Sequence, residues 1–170
     1  MEVLFRTERL IVRAFSYDFL EDYYRELTDA ITKYQFPDSF RSLDAANEVM
    51  SGFVKDMELG RMLELVMLTP DGEFVGSMEA FGVDGETPEV GIWVRSAAHH
   101  MGYGYEALRG LIGYLNARKK YRYYIYEVDV RNLPSVHLVE KFRFEKGGYE
   151  EAVTGSGKTL ELQTYHILPE

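Results

Sequence analysis

Apolar and polar positions alternate along this chain in two rhythms. Around residues 9–14 the run Arg9-Leu10-Ile11-Val12-Arg13-Ala14 reads as a short strand, and from Tyr17 to about Thr32 the residues Phe19, Leu20, Tyr23, Tyr24 and Leu27 recur at helical spacing. After a loop centred on Phe36-Pro37-Asp38, Ser42 or Asp44 can cap a second helix with Ala45, Ala46, Val49, Phe53 and Met57 on one side. Met62 to Leu68 and Glu73 to Phe81 are strand-like and flank Thr69-Pro70-Asp71-Gly72, so a hairpin is expected there. A further strand spans Glu89 to Arg95. Next come a helix from Glu106 to Arg118, with Ala107, Leu108, Leu111, Ile112 and Leu115 as its stripe, and a strand from Arg122 to Val130. Strand, glycine-rich turn, helix and strand form a crossover unit whose two strands run parallel. Asn132-Leu133-Pro134 opens a short helix to about Phe142, and strands near 144–153 and 159–167 close the chain.

Two glycine-rich stretches invite a phosphate-binding reading. In Gly155-Ser156-Gly157-Lys158-Thr159, a P-loop would need glycine where Ala152 stands and a helix where Thr159 to Tyr165 alternates like a strand, so this is a hairpin turn. The other, His99-His100-Met101-Gly102-Tyr103-Gly104-Tyr105, enters a helix N-terminus, where unpaired N–H groups and the helix dipole attract anions. Glycine at 102 and 104 lets a pyrophosphate approach the main chain without a Cβ in the way.

Composition narrows the class. With 170 residues, 46% hydrophobic and 28% charged, the chain is expected to form a single domain over residues 1–170. The absence of cysteine removes disulfides, thiolate metal sites and a cysteine nucleophile. A formal net charge of -9 argues against nucleic acid as a partner and fits a cationic one. The opening Met1 to Phe15 does not read as a signal peptide, and no apolar run approaches the roughly 20 residues of a membrane span. A cytoplasmic location without membrane attachment is therefore expected. His137 and His166 lack partners at metal-ligand spacing, so no metal is expected. The tyrosines at 121, 123, 124 and 126 follow from strand propensity.

Four blocks in order carry a family resemblance: Thr7-Glu8-Arg9-Leu10-Ile11-Val12-Arg13; Glu89-Val90-Gly91-Ile92-Trp93; His99 to Leu108; and Asn132 with Ser135, Lys141, Phe142, Arg143 and Phe144. Over residues 6 to 148 the chain resembles the GNAT superfamily of acetyl-CoA-dependent N-acetyltransferases, and within it the RimJ/RimL-like branch that acetylates ribosomal-protein N-termini. It departs from the family pattern at His99 and His100, which stand for the usual Gln or Arg and Gly, and at Arg143, which stands for Gly.

The resemblance implies an α+β fold: a mixed, mostly antiparallel sheet whose two central parallel strands splay apart, with helices on both faces. It implies acetyl-CoA as cofactor, lined by Ile92, Trp93 and Val94, held at its pyrophosphate by the turn His99, His100, Met101, Gly102, Tyr103, Gly104 and Tyr105, and met near the sulfur by Asn132. Glu89 matches the strand carboxylate that deprotonates the amine, with Glu127 and Asp129 in reserve as solvated charges. The tyrosine that many members use as general acid is Val139 here, and Ser135 takes that role. The implied reaction is direct acetyl transfer to a primary amine, such as a protein N-terminus. A polyamine or aminoglycoside-like acceptor and a non-catalytic CoA-binding module are the alternatives. The oligomeric state stays open, a homodimer being compatible.

Overall fold

The computed structural model describes residues 2–170. Eight strands form one sheet: β1 (Val3–Arg6), β2 (Ile11–Ala14), β3 (Met62–Leu68), β4 (Phe74–Phe81), β5 (Glu89–Val94), β6 (Tyr124–Asp129), β7 (Phe144–Val153) and β8 (Thr159–Ile167). Their spatial order is β1-β2-β3-β4-β5-β6-β8-β7. Every neighbouring pair is antiparallel except β5 and β6, which run parallel as the crossover requires. This central pair meets in register only at Glu89 and Ile125 and diverges beyond that point. The mixed sheet with splayed central strands thus has the expected form.

The helices are α1 (Leu20–Glu26), α2 (Asp29–Thr32), α3 (Leu43–Glu58), α4 (Tyr103–Arg118) and α5 (Leu133–Val139). Strand alternation sorts the core into two layers. Leu65 and Met67 of β3 pack with Leu108, Leu111 and Leu115 of α4, while Val66 and Leu68 join Tyr23 of α1, Met50 of α3 and Trp93 of β5. Each fully buried leucine of α4 contributes about 1.5–3 kcal/mol relative to exposure.

The structure differs from the sequence-based expectation in five places. The helix expected from Tyr17 to Thr32 is broken at Leu27, whose ψ of 77° is not helical. Thr28 and Asp29 favour starting a helix over continuing one, and α2 begins there. Strand β1 was not foreseen, because four residues carry too little alternation to register. On α3, Ser42 is the cap, accepting from the Ala45 N–H at 3.0 Å, but Met50 turns inward and Val49 outward. Helix α4 starts at Tyr103, so Gly104 and Tyr105 lie inside its first turn, and α5 stops at Val139, short of Phe142.

The Gly155–Gly157 stretch is a hairpin turn between β7 and β8, closed by Thr154 N–H to Lys158 O at 2.8 Å and Gly157 N–H to Thr154 O at 2.9 Å. Among the described residues no helix is long and apolar enough to cross a membrane.

Candidate active site

Two chambers flank the divergence of β5 and β6. The first, about 460 Å³, is lined by Ile92, Trp93, Val94, His99, His100, Gly102, Tyr103, Gly104, Tyr105, Asn132 and Ser135, with Lys141 and Leu138 of the α5 region opposite. Gly102 caps α4 in the left-handed region, with φ at 81°, a conformation that glycine adopts without steric penalty. The first-turn N–H groups of α4 have no intrahelical acceptor and point out of the helix end. At Gly104 a Cβ would make only ordinary contact with Leu138 Cδ2 at 3.6 Å, so nothing in the protein's own packing demands glycine there.

The motif around Thr7 builds this helix end. Glu106 accepts from Thr7 Oγ1 at 2.6 Å and from the Arg9 N–H at 2.7 Å through Oε1, and from Arg9 Nε at 2.7 Å through Oε2. Arg9 also donates to the Met101 carbonyl at 2.7 Å, and its guanidinium lies 4.5 Å over the Tyr103 ring. Burial pushes the Glu106 pKa up, but the bonds from Thr7 and Arg9 outweigh it and hold it below the ordinary carboxylate value. Met101 is the one cofactor candidate outside the chamber lining: its side chain is exposed and its carbonyl anchors Arg9. His99 Nε2 donates to the Val94 carbonyl at 2.6 Å, so this side chain braces the strand end.

The second chamber, about 520 Å³, shares Tyr34, Gln35, Ile92, Trp93, Asn132 and Ser135 with the first. Its apolar walls include Phe36, Phe40, Phe53 and Leu162, and its acidic groups are Glu64, Glu79, Glu89 and Glu127. Glu64 and Glu79 stand opposite each other on β3 and β4, and Glu79 stands opposite Gly91 on β5. Ser77 donates to Glu64 Oε1 at 2.7 Å, and the Tyr23 hydroxyl lies 2.9 Å from the same oxygen and 2.8 Å from Ser77 Oγ. Burial raises the Glu64 pKa to about 7 against those two bonds. Burial, then the charges of Glu64 and Glu89, raise Glu79 well above the carboxylate range. Glu89 reaches solvent at the chamber's edge, and partial burial raises its pKa as well.

Glu127 keeps an exposed position, its pKa raised by burial and by the charges of Glu89 and Glu150, but Asp129 is not a solvated charge. It is fully buried and accepts from the Arg131 backbone and side chain and from the Glu161 N–H, at 2.7–2.9 Å. It fixes the turn that leads into Asn132. Asn132 precedes α5 without capping it through its side chain, and Ser135 is half-buried with the Tyr126 hydroxyl 3.5 Å from its carbonyl. Val139 is fully buried in the core, away from any proton-donating role.

Sequence reasoning passes over Glu64 and Glu79 and reads Tyr126 as strand propensity alone. The signal was there: a glutamate interrupts each of the apolar runs Met62 to Leu68 and Phe74 to Phe81.

The sequence profile of the acetyltransferase (GNAT) domain family matches residues 9–145, which take in every element named above except β1, β7 and β8. The chain belongs to the GNAT acetyltransferase family. No curated protein sequence matches it. Among solved structures this acetyltransferase is similar to the spermidine N-acetyltransferase of Vibrio cholerae in complex with CoA and spermine, at 18% identity and a TM-score of 0.82 over 95% of this chain and 96% of that one. It is similar to RimL, the ribosomal L7/L12 alpha-N-protein acetyltransferase in complex with coenzyme A, at 15% identity and a TM-score of 0.86 over 98% of each chain. A Salmonella typhimurium acetyl transferase that modifies the N-terminal serine of ribosomal protein L7/L12 aligns at 14% identity and a TM-score of 0.82, over 99% of this chain and all of that one (100%). The fold is therefore that of the family.

Proposed function

We propose that the chain works as one acetyl-CoA-dependent N-acetyltransferase unit, passing the acetyl group directly to a primary amine on a cationic acceptor. One observation carries this reading: a chamber bearing four carboxylates shares wall residues, Ile92, Trp93, Asn132 and Ser135 among them, with a chamber bordered by the free N-terminus of α4. The α4 end fits the cofactor, since its first-turn N–H groups and the open space at Gly104 suit a pyrophosphate, with Ile92, Trp93 and Val94 beside it. When bound, acetyl-CoA supplies an acetyl group activated as a thioester. The chain's own residues orient the amine, exclude water and move protons. Glu89, at the edge of the acidic chamber, draws in the ammonium and is the carboxylate the sequence singles out as base. Ser135, on the shared wall, would supply a proton to the departing sulfur.

A protein N-terminus, as for the RimL-like relatives, and a small polyamine both suit this chamber. Four glutamates in an aromatic-walled space of about 520 Å³ favour the small polycation, whose methylenes cover the aromatic walls. Thiol release from acetyl-CoA with a panel of peptide N-termini, polyamines and aminoglycosides tests the reading. Release that requires an amine, strongest with a polyamine, is expected. Acetyl-CoA binding without release for any amine would leave a CoA-binding module instead.

A further inference from the structure

We propose that Glu79, with Glu64 as its positioning partner, is the group that takes the proton from the acceptor's ammonium. The assignment rests on the acetyltransferase reading above and concerns the same chamber.

Register carries the argument first. Glu64, Glu79 and Gly91 stand side by side across β3, β4 and β5. A Cβ built on Gly91 would overlap Glu79 Oε1 and come within 3.0 Å of its Cδ, so the carboxylate lies over β5 in the space that a side chain at 91 would fill. Gly91 is two residues beyond Glu89, where β5 and β6 last pair, so this space opens onto the divergence. On the far side, the buried Tyr126 of β6 lines the same chamber as Glu79, and its pKa is raised to about 12, by burial first and by the Glu79 charge in addition. Glu89 lies back at the closed end of the divergence, opposite Phe81 and exposed.

Hydrogen bonding then separates the two inner carboxylates. Glu64 is held by Ser77 and Tyr23. Glu79 has no hydrogen-bond partner among the described residues and lines the chamber, with its oxygens open to a ligand. The titratable groups that act on Glu79 or feel its charge are Glu64 of β3, Glu89 of β5, Tyr23 of α1 and Tyr126 of β6, with no cation among them. A poorly hydrated acidic cluster without a cation is stabilised by a cationic ligand or by a retained proton. The acceptor's ammonium supplies both in turn. Its N–H bond breaks, the electron pair stays on nitrogen, and the proton bonds to a Glu79 oxygen. The neutral amine is then the nucleophile, and Glu79 returns the proton to water in the chamber before the next turnover. Glu64, fixed by Ser77 and Tyr23, stands beside Glu79, and its charge when ionised raises the basicity of Glu79.

The test compares Glu79→Gln, Glu89→Gln and Gly91→Ala with the parent in kcat/KM from pH 6 to 9, with the thermal shift by acetyl-CoA as the control for folding and cofactor binding. Glu79→Gln is expected to lower kcat/KM by roughly a hundredfold to ten-thousandfold near neutrality, with a loss that shrinks as pH rises and the amine arrives deprotonated. Gly91→Ala pushes the flexible end of Glu79 aside and should reproduce that loss and its pH dependence without touching a carboxylate. Glu89→Gln should cost less than about tenfold, mainly in KM. A Glu79→Gln enzyme with near-parental kcat/KM across this range, or a larger loss in Glu89→Gln, overturns the assignment while leaving the activity standing. A parent that releases no thiol with any amine overturns the activity and the assignment with it.

Discussion

Arg9, in the turn between β1 and β2, grips Glu106 in the first turn of α4, with Nε 2.7 Å from Oε2, and so ties the edge of the sheet to the helix end that faces the cofactor chamber. Glu106 has its pKa held below the ordinary carboxylate value, so its contribution to stability is present above that value and is lost as pH falls through the folded pKa. Glu106→Gln is expected to lower unfolding free energy at pH 7 by about 1.5–3 kcal/mol, the range for hydrogen bonds to a charged group. The difference from the parent should close on acidification below about pH 4. Denaturant titrations at both pH values check this.

At Gly102 an aspartate is tolerated by the backbone, since Asp is among the residues that enter the left-handed region, yet it sets a carboxylate at the anion-attracting end of α4. Gly102→Asp should keep the fold and abolish the thermal stabilisation by acetyl-CoA, about 2.7 kcal/mol in the parent at a hundredfold excess over Kd. Differential scanning fluorimetry with and without the cofactor reads it directly.

Lys158 reaches from the β7–β8 turn to the loop that walls the acidic chamber, donating to Thr32 O at 2.7 Å and Gln35 O at 2.5 Å and pairing with Asp38 at 2.8 Å. Lys158→Ala should therefore raise KM for the amine several-fold, and ATP should not bind either protein. Steady-state kinetics in both substrates and calorimetry with ATP decide it.

Glu64 and Glu79 give stability an unusual slope with pH. Both have folded pKa values above the unfolded value, Glu64 at about 7, so their favourable contribution is complete below the unfolded pKa and is lost as pH rises through the folded one. The parent is expected to lose stability between about pH 4.5 and 7, and Glu79→Gln should flatten that slope. Denaturant midpoints across the interval measure it.

Much of the fold could be read directly. The alternation from Met62 to Phe81 and the stripe on α4 depend on local periodicity, and the β5-α4-β6 crossover follows from chain order. The helix ends at Leu27 and Val139 are obscured because apolar spacing runs on past both, although Thr28 and Asp29 carry a local start signal. In the site, the glycine-rich turn was legible because its chemistry is contiguous. The acidic chamber was not, since Glu64, Glu79 and Gly91 meet only through the register of three strands, and Asp129 looked solvated until Arg131 and Glu161 closed around it.

The wall shared by the two chambers has a pharmacological consequence. Ile92, Trp93, Asn132 and Ser135 border both spaces, so a single molecule reaching past them is expected to occupy both at once. A CoA thioether carrying a polyamine in place of the acetyl group would make its second binding event intramolecular and gain roughly 10²–10⁴ in affinity over either half alone, provided the linker fits the opening. Tight inhibition by the conjugate, competitive against both substrates, would mark the two chambers as one continuous binding site.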